Sequence, residues 1–207
     1  MGAHCERITH TAFEAFSRGK AALAADVPRI EATLDQDEID IQALALRIIA
    51  LRQPVAEDLR FLAAALRLIT DLERVGDEAS NITECIVEGR DAARSLASSE
   101  LQQMDQEVQE MLHGALRAFV ERDPNGARSV LLRDDAVDRH CATIIAKMEE
   151  YISAHVDDVA AGMRVMWVAK YLERIADHAT NVAEEVIFMV RGEDVRHGTA
   201  LSPAGSG

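Results

Sequence analysis

The chain has 207 residues, the length of one or two compact units. Its 48% hydrophobic and 28% charged residues supply a buried core and exclude a disordered polyelectrolyte. Acids outnumber bases, 36 to 22, for a formal charge of −14, which excludes a general binder of nucleic acid or anionic membrane, because phosphate contacts need Lys and Arg. The balance suits cations, or a partner with a basic patch.

The elements follow in chain order from periodicity and punctuation. Asp26 reads as an N-cap, with Pro28 in the first turn of a second helix. Pro54 disfavours helical geometry at Gln53, so that helix, over about 27–52, ends or kinks there. Val55, Leu59, Leu62, Leu66, Ile69 and Leu72 form an apolar row continued by Val75, Ala79, Ile82 and Ile86, the signature of a third amphipathic helix from about Pro54 to Glu88, stopped by Gly89. Residues 90–98 read as a linker. Ser99 with Gln102 reads as a capping box opening a fourth helix. Asp123-Pro124 caps a fifth, the stretch from Ser153 to Asp158 opens a sixth, and Gly192 ends it. No long period-two alternation is present, so the chain reads as all-α. Its expected organisation is six helices in two three-helix units, residues 1–91 and 99–192, followed by a disordered Gly/Ser/Pro tail over 193–207.

Three well-separated cysteines, Cys5, Cys85 and Cys141, form no CxxC pair or disulfide framework, which fits a reducing compartment. No apolar run reaches the ~18 residues of a membrane span, with Arg164 and Lys170 interrupting the best stretch, and the start of the chain lacks a signal-peptide core. A cytoplasmic protein is expected.

Comparing the halves exposes a repeat. Residues 73–84 read ERVGDEASNITE and residues 173–184 read ERIADHATNVAE, identical at six of twelve positions at an offset of 100. Asp58 with Asp158 and Leu72 with Leu172 share that offset, and Asp37 and Asp40 resemble Asp135 and Asp138 at an offset of 98. On a helix, Glu73 and Asp77 lie one turn apart, Glu84 falls about 20° from Glu73 and Asn81 about 80° away. One stripe thus carries three carboxylates and an amide, and Glu173, Asp177, Asn181 and Glu184 repeat it. Like charges at i, i+4 weaken a helix by roughly 0.2–0.5 kcal/mol per pair, and a hard divalent cation bridging carboxylates compensates. Asp37, Asp40, Asp135 and Asp138 are candidates to complete such sites. Set against this, roughly six i, i+4 acid pairs are expected by chance at this composition, and Arg74 and Arg174 are at hand to pair with acids, so a merely solvated acidic face stays open.

Other groups carry less. Glu110 and His113 have the carboxylate–histidine spacing of di-iron helices, but the motif occurs once. His4, Cys5 and His10 form a short N-terminal group, His178 is a candidate second-sphere group beside Asp177, and Met163, Met166 and Trp167 read as core. No Gly-rich phosphate loop, GxSxG elbow, HExxH or nucleophile–base pair is present, so no catalytic residue is assigned.

Three segments carry a resemblance to a known family: Gln53 to Arg60, Asp71 to Asp77, and Tyr171 to Asn181. They are similar to the PhoU family of bacterial phosphate-uptake regulators, over about residues 10–192, and the family's signature of Glu or Asp followed four residues later by Asp falls on Glu73/Asp77 and Glu173/Asp177. The resemblance implies two tandem three-helix bundles related by a pseudo-twofold and multinuclear metal sites on the acidic faces. It implies iron or zinc foremost, with manganese or magnesium also associated with the family. It further implies an accessory protein rather than an enzyme, a negative regulator of the phosphate regulon. Its partners would be the ATPase subunit of the phosphate ABC transporter and the regulon's sensor histidine kinase, reaching the membrane only through them, and homodimers are common. A carboxylate-cluster metalloenzyme and an accessory protein of a different phosphate transporter are the alternatives. The family's first helix usually begins some ten or more residues earlier. Here the chain enters at Met1-Gly2-Ala3-His4, so either a short first helix or a trimmed start of the chain is expected.

Overall fold

A computed structural model describes residues 1–89, 91–193 and 195. The expected tail over 193–207 lies, apart from Glu193 and Val195, outside the described residues. Among those residues the structure is helical throughout, with no strand. The first repeat contains α1 (Gly2–Arg18), a single 3-10 turn (Ala21–Ala24), α2 (Val27–Arg52) and α3 (Ala56–Glu84). After a short α4 (Ala92–Leu96), the second contains α5 (Ser98–Glu121), α6 (Pro124–Leu131), α7 (Asp134–Ala154) and α8 (Val159–Arg191).

The helix ends follow from identifiable chemistry. Gly19 takes a left-handed conformation (φ 59°) that closes α1, and its amide bonds the Phe16 carbonyl. Asp123 caps α6 as expected, accepting from the Asn125 amide at 2.9 Å, with Pro124 in the first turn. Elsewhere the punctuation differs from expectation. Residues 90–98 are not a plain linker: Asp91 caps α4, accepting from the Arg94 amide at 3.0 Å, and Ala93 and Ala97 are buried. No side-chain cap forms at the start of α5, and the Ser98 hydroxyl donates instead to the Ser95 carbonyl at 2.9 Å. α3 ends at Glu84, well before Gly89. The expected fifth helix is two, α6 and α7, broken at Leu132-Arg133, where Asp134 and Asp135 favour a fresh N-terminus. With α6 as the first leg of α7, each repeat keeps three principal helices.

α3 and α8, the third helices of the two repeats, pack antiparallel at the centre. Arg67 meets Glu185 at 2.6 Å, Asn181 donates to Asp71 at 3.0 Å, and Arg174 reaches Glu78 at 3.4 Å. α1 and α2 flank α3, while α5, α6 and α7 flank α8. From residue 71 to 80 and from 171 to 180 the burial classes coincide position by position, so the pseudo-twofold seen in the sequence is carried into packing. α2 and α7 match at a different offset. Val27 with Val130, Leu34 with Val137 and Ala45 with Met148 are buried pairs 103 residues apart. The expected offset of 98 put the wrong acids in register. No helix among the described residues is long and apolar enough to cross a membrane.

Candidate metal centre

Each acidic stripe is completed by the helix packed beside it. In the first repeat Glu73 and Asp77 on α3 lie within electrostatic reach of Asp35 and Glu38 on α2. Burial pushes the Glu73 carboxyl above its usual range, and Asp77, Glu38 and Asp35 push it further. Asp77 is raised by burial and then chiefly by Asp35 and Glu38, with Arg74 opposing. Thr70 donates to Glu38 at 3.0 Å. In the second repeat Glu173 and Asp177 on α8 face Asp134 and Asp138 on α7. Burial followed by the charges of Asp138, Asp177, Asp135 and Glu173 pushes Asp134 up to about 6. Asp177 is raised by burial, Glu173 and Asp138.

With the register of 103, Asp35 corresponds to Asp138, Glu38 to Cys141 and Glu31 to Asp134. The third position of the second cluster is therefore a thiol. The Cys141 Sγ donates to Glu173 Oε2 at 3.5 Å, and the Cys141 thiol is pushed up to about 11 by burial and then by Glu173. Lys170, where the first repeat has Thr70, pairs with the same Glu173 oxygen at 2.5 Å. The second cluster thus carries a lysine paired within it and a neutral thiol, where the first has Thr70 and Glu38 and is opposed only by the charge of Arg74 and His178.

The structure redistributes the other sequence-derived candidates. Asp37 turns to His4 at 3.1 Å and to the Met1 amine at 2.9 Å, away from the stripe. Asp40 is exposed and accepts from Gln36 at 2.9 Å. Asp138 belongs to the second cluster, and exposed Asp135 acts on it only through its charge on Asp134. Asn81 and Glu84 line, with Glu31 and Asp77, a groove of about 330 Å³ between the start of α2 and the end of α3. Asn181 and Glu184 do not repeat that role. They line a separate groove of about 350 Å³ with Arg67, Asp71 and Arg74, and Asp71 Oδ1 accepts from Asn181 at 3.0 Å and pairs with His178 at 2.9 Å.

The weaker groups separate. Glu110 pairs with Arg133, His113 with Glu6, and the Cys5 thiol donates to the Leu72 carbonyl. Trp167 and Met163, expected in the core, are 48% and 39% exposed.

Carboxylates held together against their own repulsion suit a hard cation in charge and in ligand type. Their placement is looser than a closed site: among the described residues no three His, Cys, Asp or Glu side chains are grouped so as to hold an ion. Sequence reasoning missed Asp35, Glu38, Asp134 and Cys141. The signal for them was the buried apolar register of α2 and α7 rather than the local resemblance of acidic pairs.

The sequence model of the PhoU domain matches residues 1–86 and again 101–186. A phosphate-specific transport system accessory protein PhoU homolog from Pseudomonas aeruginosa is 35% identical over 198 residues, covering 95% of this chain and 82% of that protein. A homolog of the same name from a Burkholderia species is 37% identical over 201 residues, covering 95% and 85%. The crystal structure of PhoU from Pseudomonas aeruginosa superposes with a TM-score of 0.88 at 34% identity, covering 93% of each chain. That of the phosphate transport system regulatory protein PhoU from Streptococcus pneumoniae gives 0.82 at 26% identity, covering 94% of this chain and 91% of that one.

Proposed function

The chain belongs to the PhoU family, and on that premise we propose that it is an accessory protein of phosphate-specific transport that regulates by docking rather than by catalysis. The observation that carries this reading is the match of both repeats, residues 1–86 and 101–186, to a family whose relatives bear that name. Its partners are the ATPase subunit of the phosphate ABC transporter and the sensor histidine kinase of the phosphate regulon, on the cytoplasmic side, and it holds both down when phosphate is plentiful. An adaptor shifts a partner's equilibrium only by binding one of its states better, so the affinity for either partner must depend on phosphate status. Calorimetry with the purified ATPase subunit and with the kinase's cytoplasmic region, at high and low phosphate, tests this. Binding to neither under both conditions rejects the reading.

The acidic faces belong to the same reading as cation-binding surfaces. Glu73 and Asp77 with Asp35 and Glu38, and Glu173 and Asp177 with Asp134 and Asp138, are the residues that would hold divalent or ferric ions. Such ions would supply charge that relieves the repulsion between carboxylates and ties neighbouring helices together. The looseness of the clusters means that the side chains must close on an incoming ion. Changing Glu73 and Asp77 together to Ala removes about half of the bound metal, and adding Glu173→Ala and Asp177→Ala removes the rest, by elemental analysis of natively purified protein. Full metal content in the quadruple variant rejects the assignment.

A further inference from the structure

A helix on the surface of a globular protein normally carries one apolar stripe; α2 carries two. One faces inward: Val27, Ile30, Leu34 and Ala45 are buried, and Ile41 lines an apolar groove of about 680 Å³ between α1, α2, α3 and α5. The other is formed by Ile39, Ala43, Leu46 and Ala50, all exposed, with Ile39 at 57% and Leu46 at 54%. At 100° per residue these four lie about 140–180° round the helix from Ile41, so this stripe points away from α1 and from the groove. Their spacing alternates four, three and four residues, the pattern of a helix that pairs along its length with another helix. The second repeat lacks it. At the register of 103, Ala142, Ala146, Glu149 and Ser153 stand at the matching positions of α7, a small and polar surface. Of the two helices only α2 presents large apolar side chains there, where the fold of one chain does not require them.

We propose that this stripe is the contact of a homodimer in which α2 pairs antiparallel with α2 of a second copy. The side chains complement themselves in that arrangement. About a twofold axis midway between Leu44 and Ala45, Ile39 lies opposite Ala50 of the second copy and Leu46 opposite its Ala43. Each large side chain thus meets a small one, and the helices can approach closely. The charges agree with the sizes. The antiparallel pairing that sets these layers also sets Asp40 beside Arg47 of the second copy, twice by symmetry. Within one chain the two residues are seven apart, about 10.5 Å along the helix, too far to pair. Arg47 is exposed and forms no ion pair among the described residues, and Asp40 accepts from the neutral Gln36 amide. A parallel pairing would instead bring Asp40 beside Asp35 of the second copy, a repulsion. Asp35 sits on the flank of the stripe opposite Asp40, and the twofold turns that flank of both copies the same way. The two first-repeat acidic clusters therefore lie on one face of the dimer. The homodimer implied by the family resemblance gains a face, a direction and a set of pairs.

Sedimentation equilibrium of the full-length chain tests this. A single helix pair is at the small end of specific interfaces, so a dissociation constant of about 1–100 μM is expected over a concentration range of about 1–200 μM. Leu46→Glu should weaken the dimer by about tenfold or more, since it places a charge in the apolar seam twice. Glu149 already stands at the matching place of α7, so the helix tolerates the change, and circular dichroism checks that the fold is kept. Asp40→Arg and Arg47→Asp should each weaken the dimer by about threefold to tenfold, and the two together should restore it to within about twofold of the unaltered chain. A role inside one chain would not give that rescue, because the two side chains do not meet there. A monomer throughout the range, a dimer indifferent to Leu46→Glu, or a double variant no tighter than the single ones overturns the proposal. So does a chain that dimerises only after removal of residues 196–207, which gives the stripe to the chain's own end. A monomer whose binding to the ATPase subunit or the kinase is lost with Leu46→Glu overturns it as well, and gives the stripe to that partner.

Discussion

From residue 71 to 80 and from 171 to 180 the two repeats bury the same positions to the same degree, yet they finish their surfaces differently. The second repeat is covered: α4 and the first turn of α5 close over α7 and α8, and its acidic cluster contains Lys170 and Cys141. The first leaves an apolar groove open and gathers its acids with no lysine among them. An internal duplication conserves what packing at the centre demands, since α3 and α8 must each fit the other. It leaves free what faces outward, where neither a neighbouring helix nor a buried partner dictates the side chain.

The strongest way to break this comparison is to empty equivalent core positions. Leu172 is fully buried under the covered repeat, while Leu72, its counterpart, is buried but borders the groove. A cavity beside an open groove can relax or admit water, whereas one in a closed core keeps its full cost. Leu172→Ala is expected to destabilise by about 3–5 kcal/mol and Leu72→Ala by about 2 kcal/mol in denaturant unfolding. Equal losses would show that the groove is closed in solution.

The sequence carried the architecture further than the site. Helical periodicity, Asp123-Pro124 and the twelve-residue repeat were enough for two three-helix units, because each is a local pattern that tertiary contacts reinforce. The pairing of Glu73 with Asp77 and of Glu173 with Asp177 on one face was legible for the same reason. Their neighbours were not. Asp37 and Asp40 were chosen because they look like Asp135 and Asp138, but α2 and α7 register by what they bury, Leu34 against Val137, and that register selects Asp35 and Glu38. Similarly, Val55 and Leu59 continued an apolar row by spacing, yet are 74% and 44% exposed. Periodicity identifies a face without showing whether anything lies against it.

A finer test uses that register. A Cβ on Gly76 would lie 2.8 Å from Leu34 Cδ1, whereas Ala176 and Val137 occupy the matching positions of the second repeat. A smaller residue on one helix is thus matched by a larger one on the other. Gly76→Ala alone is expected to destabilise by about 1 kcal/mol, overpacking outweighing the gain in helix propensity. In the Leu34→Val background the same change should stabilise by about 1 kcal/mol, because the clash is gone and the propensity gain remains. Additive effects in this double-mutant cycle would mean that the two positions do not touch.

The smallest effect expected is also the one most specific to the acidic clusters. Asp134 is pushed up to about 6 by burial and by the charges of Asp138, Asp177, Asp135 and Glu173. A carboxyl raised in the folded state binds its proton more tightly there than in the unfolded chain. It therefore favours folding below the ordinary Asp range, near pH 4, and that contribution is lost as the pH rises through about 6. Stability should accordingly fall across this interval, and Asp134→Asn should flatten that part of the profile. Because the side chain is only part-buried, screening reduces the effect to about 1 kcal/mol, or roughly 2–4 °C of Tm gained by the variant at pH 7. Adding manganese should restore the wild-type protein toward the variant at pH 7, since a bound cation removes the same repulsion that the amide does. It should leave Asp134→Asn itself less affected. If instead manganese raises Tm equally in both, the ion is held elsewhere, and the first cluster, with no lysine to compete, becomes the place to look.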